Sequence, residues 1–524
     1  MVEQVDISAK RGQQGRLSRA TISRRGLVAG LLAGAVAHPL WAEAPLTSPH
    51  PMPRPGSAGP GSAGPGSART GSTGPAAAAD KLVQAAKLGG VVAYAVADLS
   101  TGAILESAGA DTAVPPASVA KTVTTLYALE KLGADHRFQT RLMRLGPVIK
   151  GRLEGDLILA GGGDPTLDTD RLGDLAAALA ATGLREVTGR FIAYAGALPG
   201  RDSIAPDQPD HVGYDPAISG LNLNFNRVYF EWKQQGDGWA TGMDARGARF
   251  LPKVFMADVG IAQRDLPIFA YTAAEGRDRW SVAASALGKE GSRWLPVRHP
   301  AEYTAEVFQT LCAAHGIHLK SAEILQILPA GAVEIAKDQS APLSKVLRDM
   351  LKYSTNMTAE IVGLAASGAG SQQWSAAAMR EWARVRFGFT GWLVDHSGLG
   401  ADNRVTADDL VRMMLAADHN PAAARLMGLL HETGLADVDG KPSKISPVRI
   451  LAKTGTLNFV SALSGYVIPS KGRKMAFAIL TADVPRREAL AINERENPPG
   501  GSAWVKRSRR LQQQLIRRWV TQFT

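Results

Sequence analysis

Cysteine is almost absent from this chain, since Cys312 is the only one among 524 residues. A single thiol excludes an internal disulfide framework, a cysteine-ligated zinc site and a lipid-bearing cysteine near the N-terminus. We expect Cys312 to be a buried apolar side chain within the helical stretch 301–314.

Long apolar runs are lacking as well. The run 26–37 falls short of the ~20 residues that cross a bilayer, and no other stretch is long and apolar enough, so we expect no transmembrane segment in the mature chain. Hydrophobic residues make up 45% of the chain and charged residues 20%, a composition that suits a globular protein with two or three cores. The sequence therefore predicts a multidomain enzyme.

Acidic residues are outnumbered, which gives a formal net charge of +11 and could indicate a polyanionic partner. Much of the excess lies at the two ends of the chain: Lys10, Arg11, Arg16, Arg19, Arg24 and Arg25, then Lys506, Arg507, Arg509, Arg510, Arg517 and Arg518. No motif combines these basic residues with aromatic ones, so we expect no nucleic-acid partner. We interpret the basic face of the last helix as a solvated surface.

The N-terminus has the layout of an export signal. Arg24 and Arg25 precede the apolar run 26–37, and a small-x-small pattern follows at 42–44. Paired arginines before a short apolar run are typical of twin-arginine signals. We predict a signal peptide over 1–44, cleaved after Ala42 or Ala44, and export to the periplasm. An uncleaved anchor is the alternative, which the short run disfavours.

Residues 45–79 are nearly all Pro, Gly, Ser, Ala and Thr. Such a segment has little to bury, so it predicts a disordered linker. Folding is expected to begin at Asp80, with a helix, a strand pair and a second helix from Ser118. Strands and helices are then predicted to alternate, and a β-rich stretch follows. A helical pattern returns after it and dominates from 343 to 416.

The first candidate motif is Ser118-x-x-Lys121, which follows two prolines that suit the first turn of a helix. Residues three apart on a helix share a face, so the Lys121 amine can reach the Ser118 hydroxyl. An alcohol becomes a nucleophile when a neighbour takes its proton, and a lysine with a lowered pKa can do so. Alone the motif is weak, because it is usually only a helix surface.

The second candidate is Ser354-Thr355-Asn356, at a break between two helical stretches. The plain interpretation is a helix cap, which all three residue types favour. The functional interpretation is a hydroxyl that relays protons and an amide that binds a peptide carbonyl.

The third candidate is Lys453-Thr454-Gly455-Thr456, inside the extended stretch 450–463. Glycine within a strand often marks the close approach of another backbone. The hydroxyls and the ammonium suit a substrate that ends in a carboxylate and lies along this strand as an added strand. A plain edge strand with a surface lysine is the alternative.

The order Ser-x-x-Lys, Ser-x-Asn, Lys-Thr-Gly is the signature of penicillin-binding proteins and serine β-lactamases. Beyond these motifs, the chain resembles the low-molecular-mass class C penicillin-binding proteins, the D-alanyl-D-alanine carboxypeptidase/endopeptidases. The similar segments are 155–167, 296–300, 347–354, 397–399 and 403–405. Two places depart from the family pattern, His396 where glycine is usual and the near match at 220–224, and both put local loop shape in doubt.

The resemblance implies an α/β fold of the penicillin-binding and serine β-lactamase type, with an antiparallel sheet flanked by helices, an all-helical lobe and two nested inserted domains. We therefore divide the chain after the linker into five segments: the first catalytic segment (80–140), the first segment of an inserted α/β domain (141–212), a nested β-rich domain (213–284), the second segment of the inserted α/β domain (285–337) and the second catalytic segment (338–524).

The resemblance also implies roles for the motif residues. Ser118 would be the nucleophile, Lys121 its general base and Ser354 the proton shuttle to the leaving amine. Asn356 would hold the acyl side of the substrate. The terminal carboxylate would bind at Lys453, Thr454, Gly455 and Thr456, and the backbone N–H groups of Ser118 and Thr456 would form the oxyanion hole. No metal or cofactor is implied.

The expected substrates are peptidoglycan stem peptides that end in D-Ala-D-Ala, or D-Ala-diamino-acid cross-links, and the expected inhibitors are β-lactams. A serine β-lactamase is the nearest alternative, although a Glu-x-x-Leu-Asn segment is lacking and the large insertion argues against it. A non-catalytic wall-binding homologue is the other alternative, against which the intact motifs speak.

Overall fold

The computed structural model describes residues 75–274, 276–419, 425–435, 448–490 and 498–524. The predicted signal peptide and the predicted linker up to residue 74 lie outside the described residues. The helix expected from Asp80 begins at Pro75, because the alanines that end the predicted linker are strong helix formers and Ala79 is fully buried. The sequence does not predict this first turn, because its residues have the same composition as the predicted linker.

The described chain opens with a helix, a strand pair and a second helix. These elements are α1 (Pro75–Ala86), β1 (Val91–Asp98), β2 (Ile104–Ala108) and α2 (Lys121–Leu132). Strands β1 and β2 pair antiparallel, as the sequence predicts.

A long segment of strands and two helices follows. Its elements are β3 (Gln139–Leu145), β4 (Val148–Ile149), β5 (Arg152–Leu153), β6 (Asp156–Gly161), α3 (Thr169–Ala181), β7 (Glu186–Val187), β8 (Phe191–Tyr194), β9 (Arg227–Gln235), β10 (Gly238–Asp244), β11 (Ala257–Ala262), β12 (Phe269–Ala274), β13 (Arg277–Ala283), β14 (Glu290–Pro296), α4 (Pro300–Ala313), β15 (Ala322–Leu325) and β16 (Val333–Gln339). Cys312 is fully buried in α4, which confirms its apolar role.

The remainder of the chain is helical and then returns to strands. Its elements are α5 (Leu343–Tyr353), α6 (Asn356–Ser367), α7 (Gln372–Phe387), α8 (Ala407–His419), α9 (Arg425–Leu429), β17 (His431–Thr433), β18 (Val448–Leu457), β19 (Val460–Pro469), β20 (Met475–Ala482), α10 (Val484–Glu488) and α11 (Gly501–Phe523). None of the helices in the described ranges combines the length and apolar character that a bilayer span requires.

A six-stranded antiparallel sheet in the order β17-β18-β19-β20-β1-β2 joins the two ends of the described chain. The central strands β1, β19 and β20 are nearly continuous apolar runs because both of their faces are covered. On β1 the small residues Ala93, Ala95 and Ala97 belong to the core shared with the helices, whereas Tyr94 and Val96 belong to the core under α11. Alternation along one strand thus serves two cores.

Helix α11 closes the second face of this sheet. Its apolar face is fully buried: Trp504, Leu511, Leu515 and Trp519. Trp519 packs on Tyr94 with ring centroids 5.9 Å apart, and Trp504 Nε1 donates to the carbonyl of Leu88 at 2.7 Å. The helix therefore ties the end of the chain to its first strand.

The segment between α2 and α5 begins and ends with one pair of strands. β3 and β16 are antiparallel partners from Gln139 opposite Gln339 onward, in the mixed sheet β15-β8-β6-β3-β16. The predicted boundaries at 140/141 and 337/338 cut through these two strands, because strand composition does not mark where a pairing starts. We propose that the insertion spans 139–339.

Within this insertion, the β-rich stretch extends further than predicted. β14 pairs with β9 in the sheet β10-β9-β14, and β11, β13 and β12 form a second sheet. The predicted boundary at 284/285 separates β14 from its partner β9. The stretch 221–226 precedes β9 and contains Asn224, Phe225 and Asn226 at positive φ.

The indole of Trp504 allows a direct test of the docking of α11. We expect Trp504→Ala to lower the free energy of unfolding by about 3–5 kcal/mol, because it leaves a cavity and an unpaired carbonyl. Thermal or denaturant unfolding of the purified protein measures this loss. Trp374→Ala is the matched control, since Trp374 is 71% exposed, and should change stability by no more than ~0.5 kcal/mol. Equal effects of both substitutions would contradict this packing.

Candidate active site

Ser118 lies on a short 3₁₀ turn, Ala117–Ala120, that runs directly into α2. The regular α-helix predicted from Ser118 therefore begins at Lys121, after this tighter turn. Ala117 has a φ of 47°, a conformation that is uncommon for a residue with a Cβ and that clusters at functional sites. The serine is thus presented on a sharp turn.

Two neighbouring segments approach this turn closely at glycines. A Cβ on Gly455 would lie 2.7 Å from the carbonyl oxygen of Pro116, and a Cβ on Gly398 would lie 2.0 Å from that of Ala117. The sequence predicts such an approach at Gly455, and the structure confirms that the glycine of β18 makes room for another backbone.

The amine of Lys121 is fully buried and contacts three oxygens. Its Nζ lies 2.9 Å from Ser118 Oγ, 2.7 Å from Asn356 Oδ1 and 2.8 Å from the carbonyl oxygen of Ser397. Amide and carbonyl oxygens can only accept, so they take the two N–H bonds of a neutral amine. The remaining lone pair then faces the Ser118 hydroxyl.

Burial lowers the pKa of Lys121 to about 7, although the nearby carboxyl groups of Asp395 and Glu360 raise it. Desolvation disfavours the charged form of a buried lysine. A substantial fraction of the amine is therefore neutral at pH 7 and able to accept a proton.

Ser354 and Asn356 lie where the sequence predicts a break, between α5 and α6. Ser354 has a φ of 58° in the left-handed region, and Thr355 precedes α6 without a side-chain capping bond. Asn356 Nδ2 donates to the carbonyl of Tyr214 at 2.9 Å, which fixes its Oδ1 toward Lys121. Ser354 and Thr355 thus occupy cap positions of the two helices, as the cap interpretation predicts, but the side chain of Thr355 makes no capping hydrogen bond.

Lys453 extends from β18 toward Ser354. Its Nζ donates to Ser354 Oγ at 3.0 Å and to the carbonyl of Thr454 at 2.7 Å, and the residue is 2% exposed. Burial lowers the pKa of Lys453 well below its usual value, and the nearby Lys121 lowers it further. The surface-lysine interpretation is therefore wrong.

The end of β18 has an open edge. β17 pairs only with Ile450, Leu451 and Ala452, so among the described strands the residues from Lys453 onward pair with β19 alone. Thr454 and Thr456 are exposed and alternate with buried neighbours. This edge can accept a further strand.

The motif residues meet at one cleft. Its lining combines the turn that carries Ser118, the break between α5 and α6, the end of β18 and two other segments: Ser118, Tyr214, Ser354, Asn356, Gly398, Leu399, Thr456 and Leu457. The three motif stretches, which are far apart in the sequence, thus form one site together with two further segments.

Several residues of the site have no motif signal. Tyr214, from the insertion, lines the cleft. Glu360 and Asp395 are fully or almost fully buried and accept the backbone N–H of Ser397 at 2.8 and 3.1 Å, which holds the Ser397 carbonyl toward Lys121. Burial raises the pKa of both carboxyl groups. The one available signal in the sequence is the unusual histidine of the segment 395–398.

His396 is accommodated inside the helical lobe. A Cβ on Gly363 would lie 2.2 Å from its ring, and its Nε2 lies 2.7 Å from Ser375 Oγ. Burial lowers the pKa of His396 to about 4, against the effect of Asp395, so the ring is neutral at pH 7. The histidine that departs from the family pattern thus fits here because the residue of α6 against its ring is a glycine.

The chain matches the D-Ala-D-Ala carboxypeptidase 3 (S13) family over residues 76–497. It is 31% identical over 450 residues to the D-alanyl-D-alanine carboxypeptidase of Actinomadura sp. strain R39, covering 78% of this chain and 80% of that protein. It is 29% identical over 433 residues to the carboxypeptidase DacB of Mycolicibacterium smegmatis, covering 77% and 79%.

The fold is that of penicillin-binding protein 4 from Haemophilus influenzae, with a TM-score of 0.68, 21% identity, and coverage of 83% of this chain and 99% of that one. The α/β architecture expected from the resemblance is thereby confirmed. With two curated relatives and the family match over most of the folded chain, the protein belongs to the D-Ala-D-Ala carboxypeptidase 3 (S13) family.

Proposed function

We propose that this serine D-Ala-D-Ala carboxypeptidase works through an acyl-enzyme on Ser118, with Lys121 as the general base. The observation that carries the proposal is the buried Lys121 amine, whose Nζ lies 2.9 Å from Ser118 Oγ and contacts two further acceptor oxygens.

Acylation follows from these contacts. Lys121 takes the proton of Ser118 as Oγ attacks the carbonyl of the penultimate D-alanine, and the backbone N–H groups of Ser118 and Thr456 receive the developing oxyanion. Positioned bases contribute about 10²–10⁴ in rate, and one oxyanion donor about 10²–10³. Ser354, which is bonded to Lys453 and lines the same cleft as Ser118, relays the proton from Lys121 to the departing amine as the C–N bond breaks, which leaves Lys121 neutral again. Water then cleaves the ester and regenerates Ser118.

The substrate extends along the open edge of β18. Its terminal carboxylate lies at Thr454 and Thr456, with Gly455 allowing close approach and Lys453 bonded to Ser354 behind the strand. Asn356 holds the acyl side from across the cleft. This arrangement supports release of a terminal D-alanine, and cleavage of cross-links whose leaving amino acid also carries a carboxylate.

We include β-lactams among the ligands, since they acylate the same type of serine. The Haemophilus influenzae protein of the same fold has been crystallised with a β-lactam. The stability of the adduct separates this function from that of a serine β-lactamase, because a peptidase keeps its penicillin adduct and a β-lactamase hydrolyses it quickly. Absence of D-alanine release from a pentapeptide stem would indicate the non-catalytic alternative.

A family of cell-wall carboxypeptidases acts outside the cytoplasm. We propose the periplasm as the compartment and a twin-arginine signal over 1–44 as the route. That signal lies outside the described residues, and its support is the paired Arg24 and Arg25 before the apolar run.

Replacement of the nucleophile tests the proposal directly. Ser118→Ala should abolish both covalent labelling by penicillin and D-alanine release, because no alcohol remains to form the acyl-enzyme. Mass spectrometry of the intact protein detects the adduct, and thermal unfolding checks that the fold persists. Ser502→Ala, at an exposed serine of α11, is the control and should label normally. A full adduct on the Ser118→Ala protein would place the nucleophile elsewhere.

The pKa of Lys121, lowered to about 7, predicts the acid limb of the pH profile. The base must be neutral, so the acylation rate constant should fall about tenfold per pH unit below 7 and level off above it. Stopped reactions with penicillin between pH 5 and 9 measure this dependence. A rate still rising steeply at pH 9 would show a lysine of ordinary basicity and exclude this mechanism.

A further inference from the structure

We propose that Arg509 on α11 binds the C-terminal carboxylate of the substrate and makes the enzyme selective for free acids. The inference rests on the proposed function, because it adds a residue to the same cleft. It assigns a binding role to a side chain that the sequence places among solvated arginines.

Arg509 lies beside the strand that receives the carboxylate. Its Nη2 donates to Thr456 Oγ1 at 3.2 Å, and the side chain is exposed. Among the residues that the structure describes, Arg509 forms no ion pair. A guanidinium with remaining donors, next to two exposed threonines of an open strand edge, matches the planar geometry of a carboxylate.

The position of Arg509 is set by buried contacts on both sides of it along α11. The hydroxyl of Ser508 lies 2.7 Å from Thr481 Oγ1, and Gln512 Nε2 donates to Ser461 Oγ at 3.1 Å. Ser461 is the partner of Thr456 across β18 and β19. The helix is therefore fixed in register with the residue that Arg509 contacts, so the guanidinium is preorganised rather than loosely tethered.

The two lysines of the cleft are engaged elsewhere. Lys121 is bonded to Ser118, and Lys453 is 2% exposed and bonded to Ser354. Residues that alternate along a strand point to opposite faces, so Lys453 lies on the other side of β18 from Thr454 and Thr456. Arginine keeps its charge at any physiological pH. Arg509 is thus the cation placed on the carboxylate's side.

The other basic residues of α11 do not share this position. Arg518 is paired with Glu106, and Arg507 donates to the carbonyl of Ala86 at 3.2 Å. These contacts correct the interpretation of the whole basic face as solvated. Arg510 is exposed next to Arg509 and provides a matched control of the same charge.

The test compares a penicillin with its methyl ester, which lacks the carboxylate charge. Acylation rate constants are measured by mass spectrometry for the full-length protein and the variants Arg509→Ala, Arg509→Lys and Arg510→Ala. Loss of a charge-assisted contact should slow acylation of Arg509→Ala by the acid about 10- to 100-fold and leave reaction with the ester unchanged. Arg509→Lys should retain some of the rate, and Arg510→Ala all of it.

Added salt gives a second measurement on the acid alone. Raising the ionic strength should slow acylation of the unaltered protein and have little effect on Arg509→Ala, since an exposed ion pair is screened. An unchanged rate for Arg509→Ala with the acid, or equal losses with acid and ester, would overturn the assignment. Failure of the unaltered protein to react with the acid would instead overturn the proposed acyl-enzyme.

Discussion

The site depends on one buried amine. Lys121 is enclosed by protein, so its charged form is disfavoured. Two acceptor oxygens from distant segments accept hydrogen bonds from its amine. If either acceptor were lost, the amine could rotate or the pocket could admit water, and the lone pair would no longer be directed at Ser118. Reactivity here is a consequence of packing more than of any single functional group.

The packing that holds this amine is built from backbone. Glu360 and Asp395 receive backbone N–H groups from the loop that carries Ser397, and Gly398 lets that loop approach the nucleophile turn. Burying two carboxyl groups is costly unless their oxygens are hydrogen-bonded. Their several bonds to the loop offset that cost and keep the Ser397 carbonyl in place.

Local sequence predicts the features of the site that obey local rules. The i, i+3 spacing of Ser118 and Lys121, the helix break at Ser354 and the close approach at Gly455 each depend on a few neighbouring residues, and the structure brings all three together. Asn356 and Lys121 are 235 positions apart, and only the fixed order of the motifs indicates that they meet.

The remaining features depend on tertiary context that a sequence pattern does not encode. Glu360 resembles any acidic residue of a helix, and Arg509 resembles its exposed neighbours, until α11 is docked on the sheet. The predicted limits of the insertion fall inside β3 and β16 because pairing, rather than composition, determines where those strands begin.

Tyr214 connects the insertion to the chemistry. An asparagine amide can present either its oxygen or its nitrogen, and Asn356 serves Lys121 only through the oxygen. The carbonyl of Tyr214, which accepts from Asn356 Nδ2, makes the reverse orientation unfavourable because two acceptors would then face each other. The segment between β3 and β16 therefore does more than line one side of the cleft, since its backbone determines the orientation of the amide that contacts the Lys121 amine.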